Sequence, residues 1–259
     1  MKPKIISPFT LVNLTLLPLL NLPQPSQAQA ERPTQPQPQP SESGTVIYNP
    51  PDPPPGQGAP VGRRSGGASR GLCQNYGDLA ALVPVTEGKV WGQTTAAQPT
   101  LWFYLPAAVT AATPLELVVQ DAEDNFLYST SLMVEAAAGS LAVTLPDTVD
   151  LPVNEPHVWT LSLFCDPDRP AAAVFVQGII ERVPTETATA EAELSLSQAR
   201  TYANQGIWHD ALTIVGRRLQ HDGMDVDSRR AWTTLLDQVG LTEAASAPVL
   251  TCCEAALAE

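Results

Sequence analysis

The residues able to do chemistry in this chain are few and scattered. Three histidines, His157, His209 and His221, stand far apart, and neither a His-Glu-x-x-His nor a Cys-x-x-Cys spacing occurs, so the sequence offers no zinc site. Ser65 and Ser69 lie in a glycine-rich arm rather than in a Gly-x-Ser-x-Gly elbow, with no histidine nearby in sequence to take a proton. The densest set of oxygen donors is Asp121, Glu123 and Asp124, followed by Asn125. An extracellular module can hold calcium at millimolar levels on such a set, and a solvated hairpin turn uses the same residues. Paired carboxylates for glycoside cleavage depend on a spatial separation that no sequence displays. No catalytic residue is assigned, and no cofactor is expected. Two function classes are left: a non-enzymatic binding protein, and, as the alternative, a hydrolase acting on glycan or peptide. A pocket with two or more convergent acids would favour the second, and an open groove or sheet face the first.

Binding candidates are easier to name. Arg63, Arg64 and Arg70 punctuate a glycine-rich arm whose freed backbone amides could cradle an anion, although the Gly-x-x-x-x-Gly-Lys-Ser/Thr pattern of a P-loop is absent. The blander reading is a flexible arm whose arginines pair with an acidic surface. Trp102, Phe103 and Tyr104 are consecutive and cannot all face one core in a strand. Alternation puts Trp102 and Tyr104 on one face and Phe103, with Leu101 and Leu105, on the other. If both faces are covered all three are core; if one is open, an aromatic ledge for sugar or peptide results. Trp208 and Trp232 join the candidates as aromatic anchors on helices.

The elements that must position these residues follow a delivery sequence. Lys2 and Lys4, an apolar run from Ile5 to Leu22 and small residues ending at Ala28 read as a secretory signal, cleaved after Ala28. Pro8, Pro18, Asn13 and Asn21 interrupt that run, so it is not read as a spanning anchor, and no stable membrane insertion is expected after cleavage. From Gln29 to about Pro60 the composition is proline, glutamine and serine, expected to form a polyproline-like spacer; the other reading is a recognition segment for an aromatic groove. Net charge is −13 and becomes more negative with loss of Lys2 and Lys4, which leaves Lys89 as the remaining lysine and excludes a nucleic-acid partner.

Leu115 to Val183 is the stretch with the clearest core pattern. Leu115, Leu117 and Val119 alternate with polar neighbours, as do Trp159, Leu161, Leu163 and Cys165, and turn residues separate about seven such runs beginning at Leu79. That spacing predicts an antiparallel β-sandwich, with an immunoglobulin-like architecture among its forms. After Pro184 the apolar period becomes helical, with stripes on Leu196, Ala199 and Ala203, on Trp208, Ala211, Leu212, Val215 and Leu219, and on Trp232, Leu235, Leu236 and Val239. Gly206, Gly223 and Gly240 follow the stripes as helix stops. The stripes exceed what the helices can hide from water among themselves, so the sandwich or a partner must cover them, and short connections favour the sandwich. The expected class is therefore α+β: signal peptide 1–28, disordered linker 29–68, sandwich 69–184 and a helical segment 185–259, a hairpin or small bundle with one tetratricopeptide-like unit. Four cysteines allow three pairings. Cys73 with Cys165 is the expected bridge, two buried thiols being the alternative.

Several motifs together carry a likeness: Gly58-Ala59-Pro60-x-Gly62-Arg63-Arg64, Arg70-Gly71-x-Cys73, Pro99-Thr100-x-Trp102-Phe103-Tyr104-x-Pro106, Leu161-x-Leu163-x-Cys165 and Gly206-Ile207-Trp208-x-Asp210-Ala211. Over Gly58 to Leu241 the chain resembles the cyanobacterial domain-of-unknown-function family 928. The resemblance implies a secreted or periplasmic protein from a cyanobacterium-like source. It implies no activity and supplies no site residues. The expectation is an exported, periplasmic or extracellular binding module of the cell envelope, with an envelope protein or glycan as partner.

Overall fold

The computed structural model describes residues 45–53, 64–66, 73–166, 168–169, 171–184 and 194–251. The N-terminal segment read as a secretory signal, with Ala28, the arginines Arg63 and Arg70, and the pair Cys252 and Cys253 lie outside the described residues. Among the described residues, nine strands and four α-helices run in the order β1 (Ala80–Ala81), β2 (Val85–Thr86), β3 (Lys89–Thr94), β4 (Thr100–Leu105), β5 (Leu115–Gln120), β6 (Phe126–Leu132), β7 (Gly139–Thr144), β8 (Pro156–Phe164), β9 (Ala173–Arg182), α1 (Leu196–Asn204), α2 (Trp208–His221), α3 (Val226–Gln238) and α4 (Thr242–Ser246). The strands make a small sheet ordered β1-β4-β7 and a large one ordered β2-β3-β9-β8-β5-β6. All pairs are antiparallel except β3 with β9. The sandwich class and the helical tail are as expected. The division into three and six strands differs from the four and three of an immunoglobulin constant-type sandwich.

Alternation explains the large sheet. Leu115, Leu117 and Val119 are buried on one face of β5 and register against Leu163, Leu161 and Trp159 of β8, as the period of two requires. With Leu101, Phe103 and Leu105 of β4 and Leu141 and Val143 of β7 they form one core between the sheets. Phe103 and Trp159 meet edge to face at 5.6 Å within it. The expected strand from Leu79 to Val85 divides in two: Ala80 and Ala81 pair with β4 in the small sheet, and Val85 and Thr86 with β3 in the large one. The chain changes sheets at Pro84, a residue with no N–H to give to either ladder.

Strand β3 escaped the sequence pattern because Gly92 and Gln93 break the alternation. Gly92 is there for space. A Cβ at that position would stand 3.0 Å from Nε2 of His209.

The outer face of β4 packs on the helices. Trp102 lies edge to face with Trp232 at 5.3 Å and donates from Nε1 to the Thr213 hydroxyl at 3.2 Å. Trp208 donates from its indole to the Leu82 carbonyl at 2.7 Å. A second core therefore joins the small sheet to α1, α2 and α3. Ser195 caps α1 through a bond from the Gln198 N–H, Asp225 caps α3, and Gly206 and Gly240 end α1 and α3 at φ values of 81° and 72°.

The expectation of a spacer running to Pro60 is corrected for residues 45–53. Val46 and Tyr48 are 1% and 7% exposed and belong to the helical core. Two apolar side chains at alternate positions outweigh the extended, solvated preference of the prolines around them.

Candidate functional site

The sequence candidates divide sharply by burial. Trp102, Trp208 and Trp232 are each no more than 1% exposed. As ligand-contacting aromatics they are corrected: each is spent on holding helices to the small sheet, because the face of β4 that carries Trp102 is covered rather than open. Arg64 and Tyr104 remain half-buried. These two lie together.

A hollow of about 280 Å³ opens where the arm before β1, strands β1 and β4, and the α3–α4 turn meet, and it is lined by Arg64, Ser65, Asp78, Tyr104, Thr242 and Glu243 among others. Each side chain is placed by its own element. Tyr104 projects from β4 on the same face as Trp102, with Ala80 as its register partner. The arm is held by backbone bonds from the Ala81 N–H to the Arg64 carbonyl at 2.8 Å and from the Gly66 N–H to the Leu79 carbonyl at 2.7 Å. The Arg64 guanidinium donates to the Val239 carbonyl just past the end of α3. A cation there meets the negative pole of the helix. Glu243 enters from the first turn of α4.

The electrostatics of the hollow are mixed. Burial first, then the charges of Glu243 and Asp78, push the Tyr104 phenol above its usual range and keep it a protonated donor. Partial burial lowers the Arg64 guanidinium from its ordinary value without discharging it. The lining thus offers a guanidinium, two exposed carboxylates and a phenol hydroxyl. Such a set hydrogen-bonds polar groups of either sense.

A smaller cavity of about 160 Å³ opens above the start of α2, lined by Thr94, Gln98, Tyr202, His209 and Asp210 among others. Its acid is already committed. Asp210 accepts from the Thr94 and Thr95 hydroxyls, each at 2.7 Å, and from the Thr95 N–H at 3.0 Å, which clamps α2 to the end of β3. Burial raises its carboxyl against these bonds. His209 is fully enclosed, gives one bond to the Thr100 backbone, and is pushed down to about 4 by desolvation.

Asp121, Glu123 and Asp124 form a turn rather than an ion cage. The Asp121 carboxylate accepts from the side chain of Asn125 at 2.8 Å and from the N–H groups of Asn125 and Glu123 at 2.8 and 3.0 Å, and the Asn125 side chain is the main cause of its lowered pKa. Among the described residues no three His, Cys, Asp or Glu side chains converge on a metal-sized site. Cys73 and Cys165 are bridged, with Cα atoms 5.4 Å apart, tying the chain before β1 to the end of β8.

Sequence reasoning missed Asp78 and Glu243, which are distant in sequence and carry no local signal. It also missed Asp210 as a clamp, although an acid in the first turn of a helix is a legible feature. Compared with known families, the chain matches the model of the Domain of Unknown Function (DUF928) over residues 65–249. None of the curated proteins compared with it matches.

Proposed function

For a chain that belongs to the DUF928 family, we propose the role of an exported, periplasmic or extracellular binding module of the cell envelope, with the hollow around Arg64 and Tyr104 as its ligand site. One observation carries the reading: four chain segments bring a guanidinium, a phenol and two carboxylates to one open hollow on a rigid support. Export rests on the tripartite N-terminus and is supported by the disulfide, since such bonds persist in oxidising compartments. The cyanobacterial source implied by the sequence likeness accords with it. The ligand is a polar envelope component, a glycan or an exposed protein segment, that offers both donors and acceptors.

The paired acids Asp78 and Glu243 raise the second reading, a glycan hydrolase. Binding is favoured because both carboxylates are exposed, whereas a general acid needs a desolvated carboxyl to stay protonated at working pH. Titration of the mature protein with soluble peptidoglycan and polysaccharide fragments, monitored by calorimetry and by reducing-end release, tests both. We expect saturable binding lost in Arg64→Ala and Tyr104→Phe, without release of reducing ends. Turnover abolished by Glu243→Gln would replace binding with hydrolysis, and no binding to any envelope fraction would remove the hollow as the site.

A further inference from the structure

Residues 45–53 do not sit on the molecule as a linker would. They lie extended, with Val46 and Tyr48 buried and Thr45, Ile47 and Asn49 turned outward, the alternation of a strand that belongs to neither sheet. Their bed is a crevice formed by the end of α1, the Gly206 turn, the start of α2 and the end of α3. The Tyr48 ring meets Trp208 edge to face at 4.8 Å. The main chain is read as well: the Tyr48 N–H donates to Gln238 Oε1 at 3.1 Å, and the Asn49 N–H to the Ala203 carbonyl at 3.0 Å. The Asn49 side-chain amide donates to the Asn204 carbonyl at 3.2 Å. Pro51 then crosses Gly206, where a Cβ would stand 2.7 Å from the proline Cδ, so the turn is glycine both for its φ of 81° and for this passage.

Two side chains in pockets two residues apart, main-chain bonds beside them and a proline exit are how a folded module holds an extended peptide. We propose that this crevice is a peptide-recognition site, filled here by the chain's own residues 45–53 and open to an extended segment of another protein with the same order: a β-branched residue, one spacer residue, tyrosine and asparagine. The site is separate from the hollow and does not rest on a ligand being bound there. The cis segment competes at the effective concentration of a tethered ligand, about millimolar, so a free peptide with a dissociation constant of tens of micromolar is held off by roughly ten- to a hundredfold. A partner must therefore bring avidity, or displace the segment while the chain is pulled from its N-terminal side.

The test uses full-length protein carrying Val46→Asp and Tyr48→Ala, and a fluorescein-labelled peptide with the sequence of residues 44–53. Anisotropy should show saturable binding to this variant and binding at least about tenfold weaker to the wild type. A peptide carrying the same two substitutions should not bind, and Glu243→Gln, a change in the hollow, should leave the titration unmoved. Equal binding to wild type and variant, or no binding to a variant whose near-ultraviolet spectrum is native, would overturn the proposal. Should the variant not fold, a protease site placed after Gly56 in the wild-type chain gives the second measurement. After cleavage the labelled peptide should exchange with the retained segment, and a segment that excess peptide cannot displace would equally overturn it.

Discussion

The two faces of the small sheet are held by different physics. Its inner face meets the large sheet through Leu101, Phe103, Leu105, Leu141 and Val143, a contact built almost wholly from apolar side chains at a period of two. Its outer face meets the helices through Trp102, Trp208 and Trp232 and indole hydrogen bonds to Thr213 and Leu82, while the Asp210 clamp on Thr94 and Thr95 ties α2 beside it to the end of β3 in the large sheet. Apolar area is tolerant of exchange, whereas directional bonds and an indole packed against a glycine fix one position. The inner face therefore supplies stability and the outer face supplies placement. Placement matters because the hollow has walls from both the sheet and the α3–α4 turn.

The comparison breaks most forcibly at the disulfide, which anchors the sandwich side alone. With its ends 92 positions apart in sequence, loss of the bridge in a Cys73→Ala/Cys165→Ala double variant should cost about 4 to 5 kcal/mol by loop closure. Urea unfolding checks it, and tryptophan fluorescence reports whether the helical layer leaves with the sandwich in one transition. An unchanged midpoint would show that the reduced chain is constrained by other means.

Acid should attack the outer face instead. His209 is buried neutral, and desolvation holds its folded value near 4 against an ordinary 6.5. The unfolded chain thus binds the extra proton between those values, so the stability conferred by the neutral ring is complete above pH 6.5 and is lost as pH falls toward 4. The loss amounts to about 3 kcal/mol. Buried His157 is lowered too and adds in the same direction, while Asp210, raised by burial, works in the opposite sense as pH climbs above the ordinary carboxylate range. Thermal melts at pH 7 and 4.5 of wild type and His209→Asn isolate the contribution of this ring: the variant should lose less on acidification. Equal losses in the two would place the acid sensitivity elsewhere.

A steric probe sharpens the contrast further. A Cβ at position 216 would lie 2.4 Å from Cζ2 of Trp102, and the neighbour is a fused ring with nowhere to move. Gly216→Val should cost about 1 to 3 kcal/mol or more, whereas the near-isosteric Leu101→Met on the inner face should stay under about 1.5 kcal/mol. If the two variants melt together, the outer face is as adaptable as the inner one.

What the sequence revealed follows the same division. Strands β5 and β8 were legible because burial on one face writes a period of two, and the helices because Trp208, Leu212, Val215 and their neighbours write a period near four. Trp102 and Tyr104 were correctly placed on one face of their strand, but no pattern within the strand says what covers that face. Strand β3 was hidden by Gly92, a residue chosen for a histidine more than a hundred positions away. Val46 and Tyr48 were overlooked because proline composition dominates their surroundings, although their spacing between Gly44 and Pro50 is that of a short strand. The hollow was half legible. Arg64 and Tyr104 were candidates by residue type, while Asp78 and Glu243 reach it through tertiary folding alone.

The smallest effect on stability should accompany a large one on function, at Arg64. Its guanidinium donates to the Val239 carbonyl at the negative end of α3 and also lines the hollow beside Gly240 and Glu243. Truncation in Arg64→Ala removes one charge-assisted bond at a half-buried site, which together with the helix pole contributes about 1 kcal/mol. The fold should therefore persist with a slightly lower melting temperature. Ligand binding should fall much further, because the hollow loses its guanidinium donor while Asp78 and Glu243 remain. Arg64→Lys separates the two roles. A lysine keeps the charge at the helix end but cannot bond a carbonyl and a ligand with the planar fork of an arginine, so stability should recover before binding does. Recovery of both together would mean that Arg64 serves the hollow only by fixing the α3–α4 turn.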